Sequence, residues 1–268
     1  REDAIPAAIN AGCDMFLFNK DYDEDYAFMM SAYQKGILSD ERLEEAVKRI
    51  LACKAAQKLH IDRKIPDGKE FHLVGCLKHQ AWAKQCADEA VTLVKDTQSL
   101  LPISASKHKK VLYQILGDCA SNERVEQCFK TQMEKYGYEM IPYEREVFDF
   151  TKPLPFDSVK SFKEKYDLVI YIGNIENASN KTTNRISWYT LFGLGNNMPW
   201  FVKEVPTLFI SLQNPYHLLD VPMIQTYINA YSNHDSVIEA VVEKINGLSS
   251  FKGNSPIDPF CGKEYLSL

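Results

Sequence analysis

From residue 76 onward, short apolar runs alternate with segments of helical periodicity. The strand-like runs cover 91–94, 111–116, 138–143, 168–172, 207–212 and 226–230, and the helical segments cover 78–90, 122–136, 156–166 and 236–245. Strands that alternate with helices build βαβ units, in which the strands run parallel and the helices cover both faces of the sheet. The sequence therefore predicts an α/β domain with a mostly parallel sheet.

The first 60 residues carry a different pattern, which predicts a helix, a strand and two further helices. A helix over 3–11 ends at Gly12, and the apolar run 15–18 has the length of a buried strand. A helix over 26–35 follows. Ser39 then has the character of an N-cap for a helix with an apolar face, whose members are Leu43, Val47, Ile50 and Leu51.

A polar stretch that contains Pro66, Asp67 and Gly68 separates the two patterns and predicts a linker. We accordingly expect three segments, at 1–60, 61–75 and 76–268. Residues 253–268 include Pro256, Pro259 and Gly262 and predict an irregular tail.

Charge and cysteine content narrow the classes of partner. The net charge is -5 and the basic residues are scattered, whereas a nucleic-acid surface needs a basic stripe. No apolar run approaches the roughly 18 residues of a membrane span, so neither nucleic acid nor membrane is an expected partner. Seven cysteines without a CxxC pair favour a reducing, cytoplasmic compartment. Cys13, Cys53, Cys86 and Cys128 are expected to be buried.

The sequence predicts neither a metal site nor a cofactor. The acidic run at 21–25 lacks the glycine and the glutamate that a calcium loop needs at its sixth and twelfth positions. Cys76 and His79 have no second pair to complete a zinc site. The glycines at 193 and 195 follow no strand directly and lack the third glycine of a nucleotide-binding loop.

The stretch 174–200 is the most informative for function, since it follows a predicted parallel strand, where ligands bind in open α/β sheets. It combines amides and a guanidinium, which hydrogen-bond hydroxyls, with flat aromatic rings. Arg185, Trp188 and Asn197 are therefore candidate sugar contacts, together with His217 after the next strand. The alternative is an ordered loop whose asparagines satisfy turns and whose tryptophans pack. His217 has an equally good structural alternative.

Residues that could carry out catalysis are harder to find. Glycoside hydrolysis usually needs two facing carboxylates, yet most acidic residues here fall at helix starts or on polar helix faces. The chain also has no G-x-S-x-G, the motif of a serine nucleophile in α/β hydrolases.

Several motifs together resemble glycoside hydrolase family 3, in particular its β-N-acetylhexosaminidase branch. They are AINAGCDMFLF at 8–18, SDERLEEAVKRIL at 39–51, CADEAVTLVK at 86–95, LLPI at 100–103, FISLQNPY at 209–216 and YINAYS at 227–232. The resemblance implies the last strand and helices of a (β/α) barrel followed by a C-terminal α/β sandwich domain. It also implies that the nucleophilic aspartate and the acid/base histidine lie upstream of residue 1, so no catalytic residue is assigned.

The resemblance further implies a function. Asn19, just past the run 15–18, would face the active-site end of the barrel. The chain is predicted to be part of a retaining hydrolase of β-linked N-acetylglucosaminides and to be inactive alone. The alternatives are a non-catalytic carbohydrate-binding or docking module and, on fold analogy alone, a nucleotide binder. Two strand-helix units cannot close a barrel, so their apolar faces predict packing on the second domain, self-association or exposure.

Overall fold

A computed structural model describes residues 1–17, 19–62, 68–144, 159–178, 181, 184–191, 194–195 and 197–268. The chain divides into two compact units, Arg1–Leu73 and Val74–Leu268. The division falls inside the stretch 61–75 that the sequence suggests as a linker. None of the helices in the described ranges is both long and apolar enough to cross a membrane.

The regular elements described in the first unit are helices. It contains α1 (Ala4–Asn10), α2 (Tyr22–Gln34), α3 (Asp40–Ala56) and a 3-10 turn at Lys69–Leu73. Side-chain caps fix the starts of the two longer helices. Asp21 accepts a hydrogen bond from the Glu24 amide (2.9 Å), and Ser39 accepts one from the Arg42 amide (3.2 Å). The cap at Ser39 is the one that the sequence predicts.

The strand predicted at 15–18 is wrong over its described residues. Residues 15–17 are in no strand, and Met15 and Leu17 are 63% and 80% exposed; Phe18 lies outside the described residues. A strand needs a neighbouring strand to which its backbone can hydrogen-bond. The described part of this unit contains no strand that could serve as that neighbour. The apolar face of α3 is likewise poorly covered, since Val47 and Leu51 are both more than half exposed.

Arg42 of α3 ties the segments of this unit together. Its guanidinium donates to the carbonyl oxygens of Ile9 (2.8 Å) and Cys13 (3.1 Å), and to carboxylate oxygens of Asp14 (2.6 Å) and Glu45 (2.9 Å). The hydrogen bond from Arg42 lowers the pKa of Asp14. One side chain therefore holds the end of α1 and the following loop against α3.

We predict that Arg42→Ala loosens α1 far more than Arg49→Ala does. Arg49 also contacts Asp14 and Glu45, but its side chain is 53% exposed against 11% for Arg42. Hydrogen bonds to charged groups contribute about 1.5–3 kcal/mol each, so amide hydrogen exchange in α1 should accelerate on the order of 100-fold in Arg42→Ala. Equal exchange rates in the two variants would contradict this role of Arg42.

The second unit contains eight strands in its described part: β1 (Thr92–Asp96), β2 (Lys110–Leu116), β3 (Glu139–Pro142), β4 (Leu168–Gly173), β5 (Thr190–Leu191), β6 (Leu194–Gly195), β7 (Thr207–Ser211) and β8 (Thr226–Asn229). Six of them form one sheet of the order β1-β8-β7-β4-β2-β3, and β5 and β6 form a separate hairpin. The strands β2, β3, β4, β7 and β8 are parallel, and β1 pairs with β8 in the antiparallel direction. This confirms the predicted α/β class.

Helices and short turns complete this unit. They are α4 (Leu77–Ala90), α5 (Asn122–Lys135), α6 (Val159–Lys165), α7 (Asp235–Ile245) and 3-10 turns at His217–Leu219 and Glu264–Leu266. The four helices lie close to the helical segments that the sequence predicts, and the two short turns were not predicted. The first residues predicted for α6, 156–158, lie outside the described residues, and the tail after 253 is irregular apart from the final turn.

Two hydrophobic clusters pack on opposite faces of the sheet, because successive strand residues point to opposite sides. On one face, Ile170 and Ile210 pack with Phe129 of α5 and Val241 of α7. On the other face, Tyr171 and Phe209 pack with aromatic and aliphatic side chains that include Phe162 of α6, Phe201 and Leu218. All six residues of β4 are buried, as expected for a central strand covered on both faces.

Both edge strands are irregular or short. The pairing of β1 with β8 shifts register between Leu93 and Lys95. Lys95 is 5% exposed, and its ammonium donates to the carbonyl oxygen of Leu266 (2.9 Å); burial lowers its pKa. At the other edge, β3 has four residues and ends at Pro142.

The expectation that four particular cysteines are buried is wrong. Cys13, Cys53 and Cys86 are exposed, and Cys128 is partly buried. All seven thiols are free. Cys53 lies in α3 and Cys86 in α4, and each of these helices has one buried residue, Ala46 and Ala87 respectively. Most of the surface of both helices is therefore exposed, and the cysteines are exposed with it.

A buried lysine joins α7 to α4. The side chain of Lys244 is fully buried. Its ammonium donates to Asp88 Oδ1 (2.8 Å), Ser249 Oγ (3.3 Å) and the Ser250 carbonyl (2.7 Å). Lys252 donates to the other Asp88 oxygen (2.6 Å). Hydrogen bonds from the two ammonium groups hold the pKa of Asp88 well below its ordinary value.

We predict that Asp88→Asn destabilises the protein by on the order of 3 kcal/mol at pH 7, because it leaves the Lys244 ammonium buried without a carboxylate. Since the pKa of Asp88 is lowered by folding, its contribution is complete above about pH 4 and declines as the pH falls below that value. The stability gap to wild type should therefore narrow between pH 4 and pH 2.5 in urea titrations. Glu89→Gln is the matched control, and a gap that is constant with pH would overturn the assignment.

Candidate functional site

The candidate site lies where the parallel strands of the second unit end. From β2 the chain crosses to β3 on one side and then to β4 on the other, so the strand order reverses between β2 and β4. Such a switch point opens a crevice at the carboxyl ends of the strands. Gly117 follows β2 with a φ of +113°, and a Cβ there would lie 2.4 Å from the Asn174 carbonyl oxygen. Glycine therefore allows the connections after β2 and β4 to approach closely.

A cluster of neutral polar groups surrounds Asn174 at this edge. Asn174 is fully buried. Its amide nitrogen donates to Ser121 Oγ (3.1 Å) and Asn122 Oδ1 (2.7 Å), and its Oδ1 accepts from Gln213 (2.9 Å) and Asn233 (3.1 Å). We call these five residues the amide cluster. Its hydrogen bonds join the segments that follow β2, β4, β7 and β8.

The amide cluster was missing from the candidate residues suggested by the sequence. A signal for it existed, since Asn174, Gln213 and Asn233 each follow the end of a parallel strand. Polar residues at such positions converge on one edge when the strands are parallel. The order of the strands in the sheet, which decides which ends are neighbours, was not available from the sequence.

Two of the predicted residues, Arg185 and His217, meet through a third. The Asp220 carboxylate forms an ion pair with the Arg185 guanidinium and lies 3.1 Å from Nδ1 of His217. It also accepts a hydrogen bond from the Ile186 amide (3.3 Å). His217 is 1% exposed, and its Nε2 has no partner among the described residues. Asp220 is a residue that the sequence analysis missed.

The other two residues from the same stretch, Trp188 and Asn197, meet around Tyr171 of β4. The Tyr171 hydroxyl donates to the Asn197 carbonyl (2.9 Å), and the Trp188 ring packs edge-on against Tyr171 with centroids 6.1 Å apart. Burial raises the pKa of the Tyr171 phenol, so it remains a protonated donor. Asn197 is 2% exposed, and its Oδ1 accepts from the Tyr189 amide (2.8 Å).

Asn19 belongs to the first unit and is exposed there. It lines an open cleft of about 460 Å³, whose walls are mainly apolar and aromatic. Met15, Tyr22 and Tyr26 are among the wall residues, and each is at least 60% exposed. The cleft thus forms a large uncovered apolar surface.

The described side chains at the sheet edge are suited to hydrogen bonding and packing. Asp220, the buried carboxylate among them, is held by a guanidinium, an imidazole and a backbone amide. Across the described part of the chain, no group of three or more His, Cys, Asp or Glu side chains is placed to hold a metal ion. The amides of Asn174 and Asn197 are buried, whereas the Arg185 guanidinium is exposed and the Trp188 ring is partly exposed. A guanidinium and an aromatic face can bind a hydroxyl-rich ligand.

Comparisons with known proteins give a consistent result. No family model matches the chain. The chain is 37% identical over 270 residues to a protein of Cellulomonas fimi named beta-N-acetylglucosaminidase/beta-glucosidase. The aligned region covers 98% of this chain and 47% of that relative. It thus spans about half the length of the curated relative that it matches.

Solved structures also match the chain over nearly its whole length. The beta-glucoside phosphorylase BglX superimposes with a TM-score of 0.76 at 37% identity, over 99% of this chain and 47% of that one. A glycoside hydrolase family 3 beta-N-acetylglucosaminidase from Paenibacillus sp. shares the fold at 16% identity and a TM-score of 0.54, over 96% of this chain and 48% of that one. The chain is thus similar over nearly its whole length to about half of each of these enzymes, and it shares the fold of a glycoside hydrolase family 3 enzyme.

We predict that Asp220→Ala frees the segment around Arg185. Loss of the carboxylate removes the ion pair to Arg185 and the acceptor for the Ile186 amide, which together hold this segment. Limited trypsin digestion should then cut after Arg185 about tenfold faster than in wild type. Asp118→Ala is the control, because Asp118 pairs with Lys181 at the surface. Unchanged cleavage after Arg185 would show that Asp220 does not restrain it.

Proposed function

We propose that this chain is part of a retaining glycosidase that acts on β-linked N-acetylglucosaminides. The observation that carries the proposal is the 37% identity, over 98% of the chain, to the relative named beta-N-acetylglucosaminidase/beta-glucosidase. That name includes two activities, so β-glucosides are the nearest competing substrate class. Both substrates present a β-linked pyranose with several hydroxyls, to which amides and guanidinium groups can hydrogen-bond.

The residues that cleave the glycosidic bond belong, on this proposal, to the half of the relatives that the chain does not span. A retaining mechanism requires a nucleophile and an acid/base on opposite sides of the scissile bond. In the second unit, the buried Asp220 is already held in an ion pair and is unsuited to act as a free nucleophile. The contribution of this chain is then sugar contact through the exposed Asn19 and Arg185 and the partly exposed Trp188, whereas Asn197 and His217, 2% and 1% exposed, position the surrounding segments.

Phosphorolysis is a second candidate for the whole enzyme. It is favoured by the similarity to a protein named beta-glucoside phosphorylase, at 37% identity and a TM-score of 0.76. The two reactions differ in the group that receives the sugar, which is water in hydrolysis and phosphate in phosphorolysis. Product analysis with and without inorganic phosphate distinguishes them.

A non-catalytic role in carbohydrate binding or docking remains the alternative from a different class. The uncovered apolar surface of the first unit supports docking, and self-association through it is part of this proposal. Light scattering over a range of protein concentrations tests the self-association, since a constant monomer mass would contradict it.

We predict that the 268-residue chain alone does not hydrolyse p-nitrophenyl N-acetyl-β-glucosaminide or p-nitrophenyl β-glucoside. The physical reason is that binding groups without a nucleophile and an acid/base leave the chemical barrier unchanged. Release of nitrophenol is followed by its absorbance, with buffer and heat-denatured protein as blanks. Turnover above both blanks, at a level proportional to protein, would place catalytic residues inside this chain.

A chimera tests the positive half of the proposal. The matching half of the Cellulomonas fimi relative is replaced by this chain, and both nitrophenyl glycosides are assayed in phosphate and in phosphate-free buffer. Activity of the chimera, with a preference for the N-acetylglucosaminide, is the expected result. A folded chimera that is inactive on both substrates contradicts the proposed function, and glucose 1-phosphate or its N-acetylated counterpart as product favours phosphorolysis.

A further inference from the structure

Burial alternates along the segment from Arg185 to Tyr189. Ile186 is buried and Trp188 is partly buried, whereas Arg185, Ser187 and Tyr189 are exposed. Alternation with a period of two is typical of extended backbone, in which every second side chain points to the same side. The three exposed side chains therefore form a row on the outer side of the segment, which we call the outer row.

Both ends of the outer row are fixed to buried groups. Asp220, 8% exposed in its side chain, pairs with Arg185 and accepts from the Ile186 amide. Asn197, 2% exposed, accepts from the Tyr189 amide. A surface that is ordered before a ligand arrives loses less conformational entropy on binding.

The Tyr189 ring is also held by a stacking contact. It stacks on Tyr143 with centroids 6.5 Å apart and an angle of 22° between the rings, and yet Tyr189 remains 41% exposed. Tyr143 directly follows β3, and Tyr189 lies in the connection after β4, so their contact joins the segments that leave the strands on either side of β2. A partly exposed aromatic ring therefore lies near the switch point of the sheet, where ligands bind in this class of fold.

The charge of the outer row favours a neutral ligand. Arg185 carries the formal positive charge of the row, and the Asp220 carboxylate already balances it. An anion such as a phosphate or a nucleic acid would have to compete with that carboxylate. Hydroxyl groups can instead accept from the remaining guanidinium hydrogens and exchange hydrogen bonds with Ser187.

We propose that the outer row, Arg185, Ser187 and Tyr189, is a binding surface for a β-linked oligosaccharide of N-acetylglucosamine. The apolar face of one pyranose lies on the Tyr189 ring, and hydroxyls of the next sugars contact Ser187 and Arg185. The four residue steps from Arg185 to Tyr189 span about 13 Å in extended backbone. This length is greater than one pyranose ring, so the surface selects oligosaccharides over the monosaccharide. The proposal rests on the proposed function for its ligand class.

The test is a titration of the ¹⁵N-labelled 268-residue chain with N-acetylglucosamine tetrasaccharide, followed by the amide shifts of Ile186 and Tyr189. Saturable shifts of these amides are expected, with an affinity at least tenfold higher for the tetrasaccharide than for the monosaccharide. Tyr189→Ala should weaken tetrasaccharide binding at least tenfold. Tyr216→Ala should leave it within twofold, since Tyr216 is also 41% exposed but lies outside the outer row. Matching thermal unfolding curves confirm that both variants fold.

Three results would overturn the outer row as a sugar surface. They are absence of binding by the wild type, wild-type affinity in Tyr189→Ala, and an equal loss in Tyr216→Ala. A glucose tetrasaccharide that binds as tightly as the N-acetylated one would overturn the assigned ligand. The chimera assay separates this proposal from the proposed function. An active chimera together with no sugar binding at the outer row contradicts the sugar surface alone. Sugar binding at the outer row together with an inactive chimera contradicts the enzyme assignment.

Discussion

The burial of β4 on both faces is the constraint on which the second unit depends. All six of its residues are buried, between a cluster that includes α5 and α7 on one side and a largely aromatic cluster on the other. A strand in that position has no freedom to shift by one residue, since a shift would exchange the side chains of the two clusters. The end of β4 is therefore fixed in space, and with it the amide of Asn174 and the connection that carries the candidate residues.

The strands of this unit could be predicted from the sequence because their physical signal is local. Runs such as 168–172 and 207–212 are apolar without interruption, which is typical of parallel strands covered on both faces. The run 15–18 has the same character, and there the prediction of a strand was wrong over the described residues. Local composition reports a tendency to be buried, but strand formation also needs a neighbouring backbone, which no short window of sequence contains.

The candidate site was only partly predictable for a related reason. Arg185 and His217 could be selected by residue type and by their position after strands, yet Asp220, which joins them, was not. The side chains of Trp188 and Asn197 lie inward around Tyr171, whereas Tyr189 lies outward. Which member of an extended segment faces outward depends on its register against the protein beneath it. That register is set by tertiary hydrogen bonds such as the one from the Tyr189 amide to Asn197.

The two edges of the sheet have a consequence for how this protein associates with others. An open edge strand offers unpaired backbone groups to which another chain can add as a further strand. Here β1 is interrupted by the register shift at Lys95, whose buried side chain is tied to Leu266, and β3 is four residues long and ends at Pro142. Charged, irregular and proline-ended edges are those that resist fibril-like growth. Association of the second unit is thereby directed away from edge-to-edge pairing of sheets and toward side-chain surfaces, where specificity for one partner can evolve.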